Sequence, residues 1–493
     1  MSLCQTRCII TNFALLLVTS SLFAQSAPVP QLAPDFAAID SFVRAAMKRD
    51  RVPGAALVIT HHKDIVHVQG YGTDGYGRPV TPSTSFILGS LSKSFTSLAV
   101  MQLVEQGRVA LDAPVQQYLP SFRVRDENAS RTITVRHLLT HTSGIPTGAP
   151  QAMEAEATLQ DHVRALAAVE LSHVPGGAHE YASPNYIVVG AIVERVSGVP
   201  YAQYVQQHVF NALDMQHSFT DQTIAVQNGM SQGHRYWFGF PVAATLPYES
   251  DRMPTAALIS TAGDLGHFMV AQLNAGVYAD RSILSPAGVG TLHTPAAPGD
   301  GFSYAFGWRV SEMAGDTAVH HGGIVPNFRV KVTMLPASGW GVAVLTNVST
   351  SLPIPVTPTS HRVADAIAKH LAGAPLADTG RSLSTIYLLI TLGMFLILAR
   401  QMVRLVRLDR WRARQANRSR AAVRADVALE LLWPLAILFL LPRVAGFPWS
   451  EFFRGSPDVA WWLIAVASVG LITGLLKLLS LRAVRFVPQP ANA

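Results

Sequence analysis

The chain contains GSLSKSFTSLAVMQLVEQG, in which Ser90 precedes Lys93 by three residues at the head of an apolar run. Residues three apart share a helix face, so the Ser90 hydroxyl and the Lys93 amine can meet. The positive end of the helix dipole would lie where an oxyanion develops during acyl transfer. A lysine amine buried at that point is favoured in its neutral form and can serve as a base to a serine nucleophile. Only six lysines occur, and Lys93 alone has a serine three places before it. Serine is common, however, so the pair needs context; a lysine snorkelling to solvent at a helix start would read the same way. Metal chemistry is not expected. His61-His62 and His320-His321 lack a zinc-like spacing with a third ligand, His61 and His62 read as a solvated turn, and no cofactor is implied.

These residues need a scaffold. The segment 91–107, LSKSFTSLAVMQLVEQG, is apolar nearly all round and stops at Gly107, which predicts a buried helix capped by glycine. Upstream, Phe36, Ile39, Phe42, Val43 and Met47 follow a helical period, and 55–60 and 65–70 are strand-like runs joined as a hairpin across 61–64. Near residue 330 the alternation returns: Val330, Val332 and Met334, a turn at 336–339, then Val342 and Val344. A helix is expected over 363–371. The reading is an α+β fold, one antiparallel sheet built from both ends of a domain at 28–372, flanked by helices and interrupted by a mostly helical insertion.

The chain has 493 residues, 49% apolar and 14% charged, more apolar than an ordinary soluble protein. Residues 1–26 place Arg7 before an apolar run ending in small residues, the layout of a secretory signal, although an uncleaved anchor helix has a similar composition. Both cysteines, Cys4 and Cys8, fall there, so a processed protein has no disulfide or thiol chemistry. After a linker at 373–382, hydrophobic spans are expected at 383–399, 427–441 and 459–479 within a membrane domain at 383–493. The middle span carries Glu430 and Pro434 and has a second reading as a buried or interfacial helix.

The net charge of +7 does not indicate nucleic acid. Arg400, Arg404, Arg407, Arg410, Arg412, Arg414, Arg418, Arg420 and Arg424 gather around the connection between the first two spans, where the positive-inside rule places basic residues in the cytoplasm. The catalytic region is then expected in the periplasm, anchored to the inner membrane. Its expected partners are a small-molecule or peptide substrate and membrane lipid.

Further motifs follow in order: RHLLTHTSGIP at 136–146, YASPNY at 181–186, Phe306-Gly307-Trp308, and HHGG at 320–323. Together with Ser90 and Lys93 this set resembles the serine hydrolases related to class C β-lactamases and D-Ala-D-Ala carboxypeptidases, over about 30–371. The resemblance implies a β-lactamase/transpeptidase-like fold with Ser90 as nucleophile and Lys93 and Tyr181 as proton carriers. It also implies a strand with His321 and Gly323 lining the site, and an oxyanion held by the N–H groups of Ser90 and Ile324. Where the family usually has asparagine this chain has Ser183, and where β-lactamases have lysine it has His321, mostly neutral at pH 7. Signal, domain and three spans together resemble the colibactin-type prodrug-activating peptidases of nonribosomal peptide pathways. That likeness implies removal of an N-acyl-D-asparagine cap from an N-acylated nonribosomal peptide, with Ser183 and Asn327 as cap-binding residues and Arg252 where a histidine is expected. A D-Ala-D-Ala carboxypeptidase, a β-lactamase, an esterase and a catalytically silent cell-wall-binding protein are the alternatives.

Overall fold

The computed structural model describes residues 34–149, 157–350, 356–415, 418–445 and 448–481. The expected signal at 1–26, with Cys4 and Cys8, lies outside the described residues, as do Arg482 and Arg485. Helix α1 (Phe36–Asp50) buries Ile39, Val43, Ala46 and Met47, the stripe its period predicts. Strands β1 (Gly54–His61) and β2 (Asp64–Gly72) form the first hairpin. His61 departs from the solvated turn expected of it: as the last residue of β1 it lies opposite Trp340, and the two rings stack at 3.9 Å.

The helical insertion carries α2 (Ser92–Glu105), α3 (Ser183–Ser197) and α4 (Ala262–Leu273). The chain then returns to the sheet through β3 (Ala297–Pro298), β4 (Ser303–Tyr304), β5 (Arg309–Met313), β6 (Asp316–Val325), β7 (Phe328–Leu335) and β8 (Trp340–Thr346), and closes with α5 (Thr359–Leu371). The sheet order is β2-β1-β8-β7-β6-β5-β4-β3, every pair antiparallel. The first and last strands are neighbours, so both ends of the domain build one sheet, as the alternation predicts. Period two divides its faces: Leu57, Ile59, Val342 and Val344 pack with α1 and α5, whereas Ala56, Val58, Ala343 and Leu345 join the core of α2, α3 and α4.

Three further helices are long and apolar enough to cross a membrane: α6 (Leu383–Val406), α8 (Arg420–Val444) and α10 (Pro457–Ser480). Short helices α7 (Leu408–Gln415) and α9 (Trp449–Gly455) lie in their connections. Twenty-four residues at 1.5 Å each give about 36 Å, enough for a hydrocarbon core of about 30 Å. Two features account for the weak sequence signal of α8. Its Glu430 is buried and accepts from Lys477 at 2.8 Å, and Pro434 is followed at once by a π-turn over Ala436–Leu440, which accommodates the missing N–H. Gly470 and Gly474 let α10 approach α8 closely. A Cβ at Gly470 would lie 2.3 Å from Trp433, and one at Gly474 2.6 Å from Leu431.

The chain between α5 and α6 is fastened to the hydrolase-like domain. Asp378 binds Arg49 and Arg362, and the fully buried carboxylate of Asp50 accepts from the Leu383 N–H at 2.9 Å, from the Thr359 hydroxyl at 2.8 Å and from Arg362. Residues 235 and 238 of the domain also meet α9 and the start of α10. Arg235 donates to the carbonyls of Phe453 and Arg454, and Phe238 N–H to Asp458 at 3.0 Å.

Candidate active site

Ser90 sits in a single 3-10 turn, Gly89–Leu91, that runs directly into α2. Gly89 is required twice over: its φ is +57°, and a Cβ there would lie 2.5 Å from the backbone N of Ile324. The turn is thereby pressed onto β6, where a Cβ on Gly323 would come 1.8 Å from the Leu88 carbonyl. This close approach brings the Ser90 turn beside the backbone of Ile324, the pair of groups expected to face an oxyanion.

Residues Ser92 to Met101 of α2 are all buried, and its polar side chains are spent on the surrounding loops. Ser92 Oγ accepts from Leu258 N–H, Ser94 donates to the Gly307 carbonyl at 2.6 Å, and Thr96 reaches the Pro254 carbonyl at 2.7 Å. Lys93, fully buried, donates to Ser90 Oγ at 3.3 Å, Ser183 Oγ at 3.4 Å and the Thr255 carbonyl at 3.0 Å, with the Tyr181 ring centroid 5.0 Å from Nζ. Three oxygens surround the amine, and no carboxylate pairs with it among the described residues.

Tyr181 and Ser183 reach this point because of how α3 begins. Ser183 and Pro184 open the helix, and the fixed φ of proline suits its first turn. The preceding backbone is held by His141, whose Nδ1 accepts from Ala182 N–H at 3.2 Å and from the Asn185 amide at 3.1 Å, while Asn185 Oδ1 accepts from Ser143 at 2.7 Å. Two N–H donors on Nδ1 put the imidazole proton on Nε2, which is buried with no hydrogen-bond partner among the described residues. Burial, then the Lys93 charge, holds His141 well below the usual histidine range. His141 and Ser143 belong to the RHLLTHTSG motif, so the structural work of that motif is to position Tyr181.

His321 is buried, with Nε2 3.2 Å from the Tyr304 hydroxyl and Nδ1 2.8 Å from the Gly322 carbonyl. That pairing places the proton on Nδ1, and burial followed by the Arg309 charge keeps the ring neutral. Arg309 carries no ion pair among the described residues; its guanidinium lies 4.5 Å over Phe302 and 5.9 Å from the Tyr181 ring, and its buried Nε has no partner. No sequence motif marks Arg309. It supplies a cation beside a site where His321 supplies none.

The residues expected to bind a cap already have partners within the chain. Asn327 is buried, donates its amide to the Ala244 carbonyl at 3.1 Å and packs against Gly233, because it sits in the tight β6–β7 turn. Ser183 turns its hydroxyl to Lys93. Arg252 lies on the loop leading to Thr255, paired with Glu249 at 3.2 Å. Ile324 is half exposed.

Residues 39–364 match the family described as Beta-lactamase. Protein flp of Staphylococcus aureus strain MW2 is 28% identical over 317 residues, 63% of this chain and 63% of that protein, so the match spans less than two thirds of this relative's length. Esterase EstB of Burkholderia gladioli is 36% identical over 196 residues, 36% of this chain and half of the esterase. Among solved structures, the octameric penicillin-binding protein homologue from Pyrococcus abyssi aligns over 70% of this chain and 78% of its own, with 26% identity and a TM-score of 0.59. EstCE1, a hydrolase with promiscuous acyltransferase activity, shares the fold at 22% identity and a TM-score of 0.56, over 63% of this chain and 93% of its own. The chain belongs to the beta-lactamase family, and it joins that serine-hydrolase fold to three helices able to span a membrane.

Proposed function

We propose that this protein is a membrane-anchored serine hydrolase of the periplasmic face that opens amide or ester bonds through an acyl-enzyme. The observation that carries the reading is the buried Lys93 amine held between Ser90 Oγ and neutral oxygens, with Tyr181 alongside. In its neutral form Lys93 takes the Ser90 proton as Oγ bonds to the substrate carbonyl carbon. The carbonyl π-electrons move to oxygen, where the N–H groups of Ser90 and Ile324 receive them. Tyr181 relays the proton to the leaving nitrogen or oxygen as its bond to carbon breaks, and water then hydrolyses the ester on Ser90 by the same route reversed.

The finer reading is a peptidase that releases an N-acyl-D-amino-acid cap. The junction between the α9–α10 segment and the loop carrying Arg252 and Thr255 favours it, since an N-acyl chain partitions to the bilayer surface beside which that loop is held. Asn327 acts in this scheme as a support of the Ala244 loop, and Arg309 selects the side chain of the cap.

The test is labelling of the full-length protein with a fluorophosphonate probe, followed by a substrate panel. Wild type should label and Ser90→Ala should not; equal labelling of the two would remove the serine-hydrolase assignment in favour of a silent cell-wall-binding protein. Turnover confined to nitrocefin or to a D-Ala-D-Ala peptide, with N-acyl-D-amino-acid amides untouched, would overturn the cap-releasing reading.

A further inference from the structure

The three spanning helices and α7 line a half-open polar cavity of about 320 Å³ at the end of the bundle away from the hydrolase domain. Arg404, Arg407, Arg410, Arg414 and Lys477 bring five positive charges to its lining, against the single carboxylate of Asp426. The carboxylates nearby are already used. Glu430 takes Lys477 at 2.8 Å and Arg404 at 3.7 Å, and Asp426 accepts from Trp411 Nε1 at 3.2 Å and faces Arg418 at 3.9 Å. Arg407, Arg410 and Arg414 have no ion pair among the described residues. Positive-inside topology explains an excess of arginine in this connection but not its convergence on one concavity between helices.

We propose that this cavity is a binding site for the headgroup phosphate of an anionic phospholipid in the cytoplasmic leaflet. Its depth in the fold fits that occupant: α6 starts at the hydrolase domain and brings Arg404 and Arg407 to the opposite end after about 36 Å, the level of the far headgroups. Planar guanidinium groups with no carboxylate partner match phosphate oxygens in bidentate geometry. Val403 lines the same cavity, and Ile397 and Met402 on the adjoining turns of α6 are exposed, which gives acyl chains an apolar path from the headgroup into the bilayer. Lys477, 5.2 Å over the Trp411 ring, closes the inner wall. The site joins α6, α7 and α10 at the point farthest from the catalytic domain, so its ligand would clasp the open end of the bundle.

The experiment titrates purified full-length protein in neutral detergent with phosphatidylglycerol, phosphatidylcholine or inorganic phosphate, reading retained adducts by native mass spectrometry and the melting temperature. Phosphatidylglycerol should be retained and raise the melting temperature; phosphatidylcholine and inorganic phosphate should do neither. Equal retention of phosphatidylcholine, or an equal shift with inorganic phosphate, would overturn the proposal without any variant. R407Q/R410Q/R414Q should weaken phosphatidylglycerol binding roughly 100-fold, because each substitution takes one positive charge away from the phosphate. R400Q/R420Q/R424Q, which removes as many charges outside the cavity, should retain it; equal weakening in both variants would reduce the effect to general surface charge and end the assignment.

Discussion

Glu249 and Arg454 form an ion pair that links the loop beside Ser90 and Lys93 to the short helix leading into the last membrane span. The same carboxylate holds Arg252, and the loop continues to the Thr255 carbonyl that accepts from Lys93. Arg454→Gln should therefore lower kcat on a short-chain ester about twofold to fivefold, the worth of a partly exposed pair, without changing Ser90 labelling chemistry. Wild-type kcat in this variant would show that the loop is held without the membrane segment.

Removing His141 leaves two buried donors, the Ala182 N–H and the Asn185 amide, without an acceptor. His141→Ala should cost about 2–5 kcal/mol in unfolding free energy, from the stranded groups and the space left behind. It should also lower kcat more than KM, because Tyr181 follows directly from the loosened backbone. Denaturant titration with steady-state kinetics on the same preparation checks both.

Asn327 and Ser183 separate support from recognition. Asn327→Ala should reduce stability by about 1–3 kcal/mol and slow N-acyl-D-Asn and N-acyl-D-Asp amides by the same factor, since its partner is the Ala244 carbonyl. Ser183→Ala, which removes an acceptor of Lys93, should slow every substrate. A selective loss of the D-Asn substrate in Asn327→Ala would show that its amide reaches the cap after all.

Arg309 is expected to set charge preference. Arg309→Gln should lower kcat/KM about tenfold for an N-acyl amide with an acidic cap and leave a neutral isostere within about twofold, the difference a charge-assisted hydrogen bond makes. Equal effects on both would assign Arg309 to packing against Phe302 and Tyr181.

Acid should destabilise the domain through its buried histidines. Burial alone pushes His293 down to about 4, with Gln272 Oε1 at 2.8 Å from its Nε2. Unfolded, it titrates near 6.5. Above pH 7 both states are neutral and His293 contributes nothing to pH dependence; as pH falls through 6.5 the unfolded chain takes the proton first, and stability is lost down to about pH 4. The loss is on the order of 3 kcal/mol. Unfolding titrations at pH 7 and pH 4.5 should show a smaller drop for His293→Gln than for wild type.

The Ser90-Lys93 pair is legible in sequence because its spacing of three at a helix start is followed in order by the further motifs, and the sheet because its alternation repeats at both ends of the domain. The role of Asn327 is not, because its partner Ala244 lies 83 residues away and nothing local marks the bond. His141 is visible within a motif, yet its work is done on Ala182, 41 residues on. Arg309 directly follows Phe306-Gly307-Trp308 without belonging to it; what singles it out is the lack of a carboxylate partner among the described residues. Hydropathy makes the spans shorter than the helices because it fades where Arg, Gln and Asp continue the same hydrogen-bonded turns.

The Asp50 carboxylate, by accepting the Leu383 N–H, fixes the domain to the first turn of α6. A domain on a slack ten-residue tether would roam over roughly 17 Å. Here the bonds of Asp50 and Asp378 tie the start of α6 to the domain instead, so that in the proposed anchored enzyme it would work like a tool bolted to a bench, with the bilayer surface as the bench top. Under the proposed function, molecules dissolved in the lipid would reach it by two-dimensional search at a constant height, and those whose scissile bond cannot rise to that height would be refused before any side chain inspects them.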